Sequence, residues 1–237
     1  MRLIIDVGNT NIKLAIFKGD VLCKFFIKQK ISKKLIEDIM HSYPAIDMIF
    51  SCNTNQKNKI GKQMFSGYNI QFFDFSSIDY MPIFSSYHGQ LGEDRLALST
   101  GGIFFYGKNV LIIDLGTCIT YDVVLNGKYE GGQISPGLQT RLNALYKSTS
   151  NLPRLDFVFP DTFIGKSTQE CILSGVFFGM LSELELMIKR YTNEYDVEVI
   201  MTGGDSKYFQ KYMKNVIFDD NLLMKGLNCI LNENFKN

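Results

Sequence analysis

Histidine is nearly absent: His41 and His88 are the only two in the chain, too few and too isolated for a structural zinc site. The five cysteines are odd in number and form no C-x-x-C pair. That pattern argues against a disulfide framework and predicts reduced, mostly buried thiols. Neither sign of charge prevails: 25 basic and 24 acidic residues leave a net +1. Nothing in that balance favours nucleic acid or an anionic membrane as partner. Lys24, Lys28, Lys30, Lys33 and Lys34 cluster, and a solvated edge strand and helix face accounts for them. No low-complexity segment breaks the chain. No apolar run is expected to reach membrane-spanning length. The first residues enter a strand at once, which predicts no signal peptide and a cytoplasmic location.

What is present is a repeat. Leu3-Ile4-Ile5-Asp6-Val7-Gly8-Asn9-Thr10 opens the chain, and Leu111-Ile112-Ile113-Asp114-Leu115-Gly116-Thr117 returns at an offset of 108 residues, with Gly19 and Gly127 at the same offset. Repetition on this scale predicts two similar halves, 1–108 and 109–237. Leu3 to Ile5 carries no polar residue and reads as a strand covered on both faces. Asp6 stands where that strand leaves the core. Gly8 has no Cβ, so a tight turn and close backbone approach become possible. Asn9, Thr10 and Asn11 add donors, and a concave row of backbone N–H groups can cradle phosphate. Ile12, Leu14 and Ile16 alternate with Lys13 and Ala15, the period of a half-buried strand. A single copy could be an ordinary hairpin with a capping aspartate. Two copies, each with one carboxylate, suggest a clamp on a metal–nucleotide.

Further along, strands are predicted near 21–27, 48–52 and 70–73, with a helix near 32–42 capped by Ser32 and a short helix over 57–65. The long connection 74–91 is a candidate functional loop. A helix follows near 92–105. The second half repeats the strands at 110–114, 120–125 and 129–134, with Asn126-Gly127 as the hairpin turn. Helices are predicted over 138–147, 168–191 and 221–231, an irregular segment over 151–164, and a strand over 197–201. In the long helix, Leu173, Val176, Phe177, Met180 and Leu184 have core spacing. Gly175 and Gly179 suggest close packing against a neighbouring backbone. Cys118, inside the second turn motif, is expected to be a small buried side chain.

Six segments then line up in one order: Asp6-Val7-Gly8-Asn9-Thr10, Gly92-Glu93-Asp94-Arg95, Asp114-Leu115-Gly116-Thr117, Gly131-Gly132-Gln133-Ile134-Ser135-Pro136-Gly137, Gly165-Lys166-Ser167-Thr168 and Thr202-Gly203-Gly204-Asp205. In order, spacing and total length the chain resembles the type III pantothenate kinases. They belong to the actin-like superfamily of acetate and sugar kinases. The resemblance implies an α/β fold of two ribonuclease-H-like domains, mixed β-sheets flanked by helices, with a cleft between them. It implies ATP-dependent phosphorylation of pantothenate, the first step towards coenzyme A, by a homodimer that uses Mg²⁺ and a monovalent cation, K⁺ or NH₄⁺. Carried over by motif, Asp6, Val7, Gly8, Asn9, Thr10, Asn11, Ile12 and Lys13 bind ATP, with Asp6 holding hydrated Mg²⁺. Thr117 touches ATP, and Asp114 coordinates the monovalent cation. Asp94 is the general base. Gly92, Glu93, Asp94, Arg95 and Thr168 contact pantothenate. The family's substrate-contacting tyrosine has its nearest counterpart in Tyr87, at a shorter spacing.

These roles agree with the chemistry. Phosphoryl transfer needs positioning and charge neutralisation more than covalent help. Hard oxygen ligands suit Mg²⁺. A carboxylate within hydrogen-bond reach can take the proton of a weakly nucleophilic alcohol. An arginine offers a planar fork to a carboxylate or phosphoryl group. Taken singly, each segment has a plainer reading: a helix-start ion pair for Asp94–Arg95, a helix cap for Thr168, a simple turn for Thr202 to Asp205. Those readings do not account for all six together. A related sugar or small-acid kinase and a non-catalytic regulatory relative are the alternatives.

Overall fold

The computed structural model describes residues 1–53, 60–85 and 87–235. Two sheets dominate. The first runs β3-β2-β1-β4-β5, with β1 Arg2–Val7, β2 Ile12–Lys18, β3 Val21–Lys28, β4 Met48–Asn53 and β5 Gln71–Asp74. The second runs β11-β10-β7-β8-β9-β6, with β6 Phe84–Ser85, β7 Val110–Leu115, β8 Cys118–Leu125, β9 Lys128–Pro136, β10 Glu198–Thr202 and β11 Ile217–Phe218. Read from β9 to β11, the second sheet repeats the order of the first. In each, the opening strand pairs antiparallel with its hairpin partner and parallel with a later strand. The architecture is the expected α/β type, mixed sheets flanked by helices.

The helices are α1 Lys33–Ser42, α2 Glu93–Tyr106, α3 Leu138–Ser148, α4 Thr168–Glu194 and α5 Leu222–Asn234. Ser32 caps α1 as expected, accepting the Leu35 N–H at 3.1 Å. Of the short helix expected over 57–65, residues 54–59 lie outside the described part, and the remainder is a single 3₁₀ turn, Lys62–Phe65. β6 and β11, two residues each, were not expected, because so short a strand carries no periodicity.

By contacts the chain divides into two units. One comprises Met1–Tyr106, Gly127–Tyr129 and the described residues from Asn221 on; the other comprises Gly107–Asn126 and Glu130–Asp220. α5, expected with the second half, therefore packs in the first unit. There it meets α2 closely: a Cβ on Gly226 would stand 2.7 Å from the Ala97 carbonyl carbon, and one on Gly101 would stand 3.0 Å from Leu222. The pair expected to do this, Gly175 and Gly179, has nothing within 4 Å of a built Cβ.

The core of the first unit joins Leu3, Ile5, Val7, Leu14 and Ile16 to Ile36, Ile39 and Met40 of α1. The core of the second joins Leu111, Ile113 and Tyr121 to Leu142, Phe177, Met180 and Leu184. Phe177 is ringed by Phe159, Phe178 and Phe209 at centroid distances of 4.8–5.1 Å. By length and a mean hydropathy of 1.7, α4 would pass as a membrane span, contrary to the expectation that no apolar run is that long. The apolarity belongs to the face that Leu173, Val176, Phe177, Met180 and Leu184 bury in this core. Two cysteines, Cys52 and Cys229, are buried, while Cys23, Cys118 and Cys171 are exposed, so the thiols are not mostly interior. Cys118 falls at the mouth of a turn, which explains its exposure.

Candidate active site

In the first unit, β1 delivers Asp6 to the end of the sheet. The strand is apolar because it is covered on both faces; only at Asp6 does a polar side chain enter, and it is 4% exposed. In register, Asp6 stands between Lys13 of β2 and Cys52 of β4. The turn that follows is closed by the Gly8 N–H donating to the Asn11 carbonyl at 3.1 Å. Asn9, Thr10 and Asn11 are exposed, so this turn presents its polar groups outward.

Beside it, β4 ends in Ser51, Cys52 and Asn53, all buried. The Asn53 amide holds both neighbours: its Nδ2 donates to Ser51 Oγ at 3.0 Å and its Oδ1 accepts the Ile60 N–H at 2.9 Å. Its backbone N–H donates to Glu93 Oε2 at 3.2 Å. Glu93 thus ties the start of α2 to the end of β4. Burial pushes the Cys52 thiol well above its ordinary range, and the carboxylates of Asp6, Glu93 and Asp94 push it further. Burial also raises Glu93; the Asn53 N–H and the Cys52 thiol oppose that, while Asp74 and Asp94 add to it. These influences put Asp6, Glu93 and Asp94 around a single strand end.

Glu93 and Asp94 occupy the first turn of α2, where a helix favours negative charge. Asp94 Oδ1 accepts the Arg95 N–H at 2.9 Å. A Cβ at residue 92 would stand 2.6 Å from that same oxygen, so Gly92 makes room for the Asp94 carboxylate. Arg95 is buried, with its guanidinium against the rings of Tyr87 and Tyr129.

In the second unit, β7 carries Asp114 between Thr120 of β8 and Thr202 of β10. The turn after it closes through the Gly116 N–H and the Cys118 carbonyl at 2.9 Å. Two other motif glycines press on this turn. Gly137, at the N-terminus of α3, donates its N–H to the Thr117 carbonyl at 3.1 Å, and Thr140 Oγ1 donates to the same oxygen at 2.6 Å. A Cβ at 137 would overlap the Gly116 carbonyl and stand 2.9 Å from that of Thr117. Gly203 has φ +92°, and its Cβ would overlap the Asp114 carboxylate and come within 2.6 Å of the Leu115 nitrogen. The next turn is pinned by the Asp205 N–H to the Leu115 carbonyl at 3.0 Å. Burial raises the Asp205 carboxyl, with Lys207 opposing. Three of the sequence segments, those around Asp114, Gly137 and Gly203, therefore meet in one place.

The fourth segment of this unit, Gly165 to Thr168, starts α4. The cap is Ser167, which accepts the Glu170 N–H at 3.2 Å, while Glu170 Oε2 accepts the Lys166 N–H at 2.7 Å. Thr168 is the first helical residue, with an exposed side chain, so the capping role considered for it belongs to its neighbour. The strand segment Gly131 to Ser135 is anchored by Arg141, which donates to the Pro136 carbonyl at 2.8 Å and Ser135 Oγ at 3.1 Å and pairs with Glu183. Glu183 also accepts from the Tyr121 hydroxyl at 3.2 Å. A cavity of about 380 Å³ lies nearby, lined by Gly131, Gln133, Met187, Arg190, Tyr191 and Glu194 among others. None of the candidate catalytic residues lines it.

Sequence reading missed Cys52, Asn53, Tyr129 and Arg141. For the first two a signal existed: polar residues directly after the apolar run Met48 to Phe50, at the carboxyl end of a parallel strand, where α/β sheets place their ligands. Tyr129 and Arg141 matter only through partners distant in sequence.

Comparison with known proteins agrees with this geometry. The family model described as type III pantothenate kinase matches residues 2–190. The type III pantothenate kinase of Christiangramia forsetii is 39% identical, over 99% of both chains. Among solved structures, a Campylobacter jejuni protein ascribed to the Baf family of transcriptional activators superposes with a TM-score of 0.63 at 23% identity, over 98% of each chain. A Sinorhizobium meliloti protein ascribed as a 2-dehydro-3-deoxygalactonokinase does so with a TM-score of 0.61 at 10% identity, over the full length of both. At such identities the last two share the fold alone. Sequence likeness along nearly the whole chain decides the narrower question: the protein belongs to the type III pantothenate kinase family.

Proposed function

We propose that this chain transfers the γ-phosphoryl group of ATP to the hydroxyl of pantothenate, with Asp94 as general base and the turn after β1 as the phosphate cradle. One observation carries the assignment: Asp6 and Asp94, far apart in sequence, exert their charge on the same buried thiol at the end of β4. A phosphate-binding carboxylate and a proton acceptor in one locality are what an alcohol kinase needs.

Asp94 accepts the hydroxyl proton as the pantothenate oxygen forms its bond to phosphorus and the bond to ADP breaks. Gly92 keeps space for that carboxylate. Backbone N–H groups from Asp6 to Lys13 bind the ATP phosphates, and Thr117 contacts the nucleotide from the second unit. Arg95 and Tyr87 contact pantothenate together with Gly92, Glu93 and Thr168; Glu93 also tethers the segment to Asn53. Among the described residues no cluster of three His, Cys, Asp or Glu side chains could cage a metal. A single buried carboxylate fits Mg²⁺ all the same, since that ion keeps its waters and leans on substrate phosphates. Asp6 would hold it, and bound there it would neutralise charge on the phosphates. Asp114 would hold the monovalent cation, K⁺ or NH₄⁺. The repeated halves 1–108 and 109–237 are read as a duplicated lobe. The enzyme is read as a cytoplasmic homodimer whose partners are pantothenate and ATP, not nucleic acid or membrane.

A coupled assay of ADP release tests the reading, with ATP, Mg²⁺ and K⁺ offered alongside pantothenate or a panel of sugars. Turnover is expected with pantothenate alone; release only with sugars would refute the substrate. Asp94→Asn is expected to lower kcat by about 10²–10⁴-fold with an unchanged melting temperature. Near-normal turnover would remove Asp94 from the mechanism.

A further inference from the structure

The Arg95 guanidinium carbon lies 5.9 Å from the centroid of the Tyr87 ring and 5.8 Å from that of Tyr129, and the two centroids are 6.1 Å apart at an interplanar angle of 63°. Three nearly equal sides make a triangle. The cation is not sandwiched between parallel rings; it caps a corner formed by two rings set edge to face. Exposure grades across this triangle: Tyr129 is 0% exposed, Arg95 7% and Tyr87 41%. All three belong to the first unit, since Gly127–Tyr129 groups with it. The backbone joins the same residues. Ser85 of β6 pairs with Tyr129 of β9, and the Tyr87 N–H donates to Ser85 Oγ at 3.1 Å.

A guanidinium so deeply placed has lost most of its water, and an aromatic face is one of the few groups that attracts a cation without neutralising it. A carboxylate partner would compete with an anionic substrate; a ring does not. Arg95 therefore keeps its full charge and its planar fork for a carboxylate or phosphoryl oxygen.

We infer that Tyr129 is a positioning residue of the pantothenate site: its buried ring fixes the Arg95 guanidinium, and its strand fixes the segment carrying Tyr87. This rests on the reading of Arg95 as a contact to the anionic substrate. Tyr129 itself acts only through Arg95 and Tyr87.

The test replaces Tyr129 with phenylalanine and then with mono-, di- and trifluorinated phenylalanines by unnatural amino-acid incorporation. Ring size stays nearly constant while the face loses negative charge. Tyr129→Phe is expected to stay within about twofold of the wild-type KM for pantothenate. Across the series that KM rises stepwise, on the order of tenfold at trifluorophenylalanine. The KM for ATP, kcat and the melting temperature stay within narrow limits, which a purely structural role would not produce. A flat pantothenate KM across folded variants overturns the inference, as does a loss confined to kcat. Arg95→Lys separates the two readings. A raised pantothenate KM in Arg95→Lys with a flat fluorination series sinks the role of Tyr129 alone. An unchanged KM in Arg95→Lys sinks the assignment of Arg95 and the inference with it.

Discussion

The two hairpin turns that end β1 and β7 come from the same sequence motif and differ by one residue. Between the paired residues Val7 and Ile12 lie four, Gly8 to Asn11; between Leu115 and Ile119 lie three, Gly116 to Cys118. The longer turn is closed internally by its own Gly8 N–H and leaves Asn9, Thr10 and Asn11 exposed. The shorter one is gripped by Gly137 and Gly203. Duplication thus produced one turn free to offer backbone N–H groups and one built into its surroundings. The difference suits a division of labour in which the first turn binds the mobile phosphates and the second sets a fixed carboxylate.

The largest effect that would break this comparison lies at Gly203. Gly203→Ala combines a left-handed φ with backbone overlap and is expected to cost about 3–5 kcal/mol, against about 1 kcal/mol for Gly8→Ala, whose Cβ would stand 3.1 Å from the Asn11 carbonyl at an ordinary φ. Urea titration measures both; equal losses would mean the turns are equally constrained. Next comes Gly92, where the obstruction is a side-chain end rather than backbone. Gly92→Ala is expected to displace the Asp94 carboxylate and lower kcat/KM by about 10–100-fold, with little change in melting temperature. A fully active variant would show that Asp94 tolerates the shift.

Deleting Thr10 converts the first turn to the length of the second. The KM for ATP should rise about tenfold for each charge-assisted hydrogen bond of about 1.5 kcal/mol lost, while the fold persists. An unaltered KM would contradict the phosphate cradle. The smallest effect concerns pH. Glu93 and Asp205, one beside each turn, are both raised by burial. Their stabilising contribution is full below the ordinary carboxyl range and is lost as pH rises through the raised folded value. Glu93→Gln and Asp205→Asn should therefore gain on the wild type in unfolding free energy between pH 4 and pH 8. A difference that shrinks over that range would reverse the sign of the argument.

Much of this was legible from periodicity. Strands covered on both faces, the alternation of Ile12, Leu14 and Ile16, and the Ser32 cap are short-range patterns, and each appears where it was expected. The glycines show the limit. Gly19 and Gly127 share the repeat offset, yet the extra residue in the first turn shifts the register, so Gly19 (φ +60°) has its structural counterpart in Asn126 (φ +53°). Gly175 and Gly179 have the spacing of a packing pair and pack on nothing within 4 Å, whereas Gly101 and Gly226 allow two helices distant in sequence to touch. A glycine's spacing says that an approach is sterically open, and only the partner's position says whether one occurs. The same holds for α5: its apolar composition required burial, but not against α2.

From the order of residues alone came the duplicated strand–turn–strand unit, the placement of Asp6 and Asp114 at strand ends, and the family to which the chain belongs, because these depend on side-chain periodicity and on motifs a few residues long. Folding alone decided that Cys52 and Asn53 sit among the carboxylates, that Gly203 abuts Asp114, and that Arg95 rests against Tyr129. Each of those contacts joins segments whose proximity is set by sheet order and long-range packing, which no local pattern encodes.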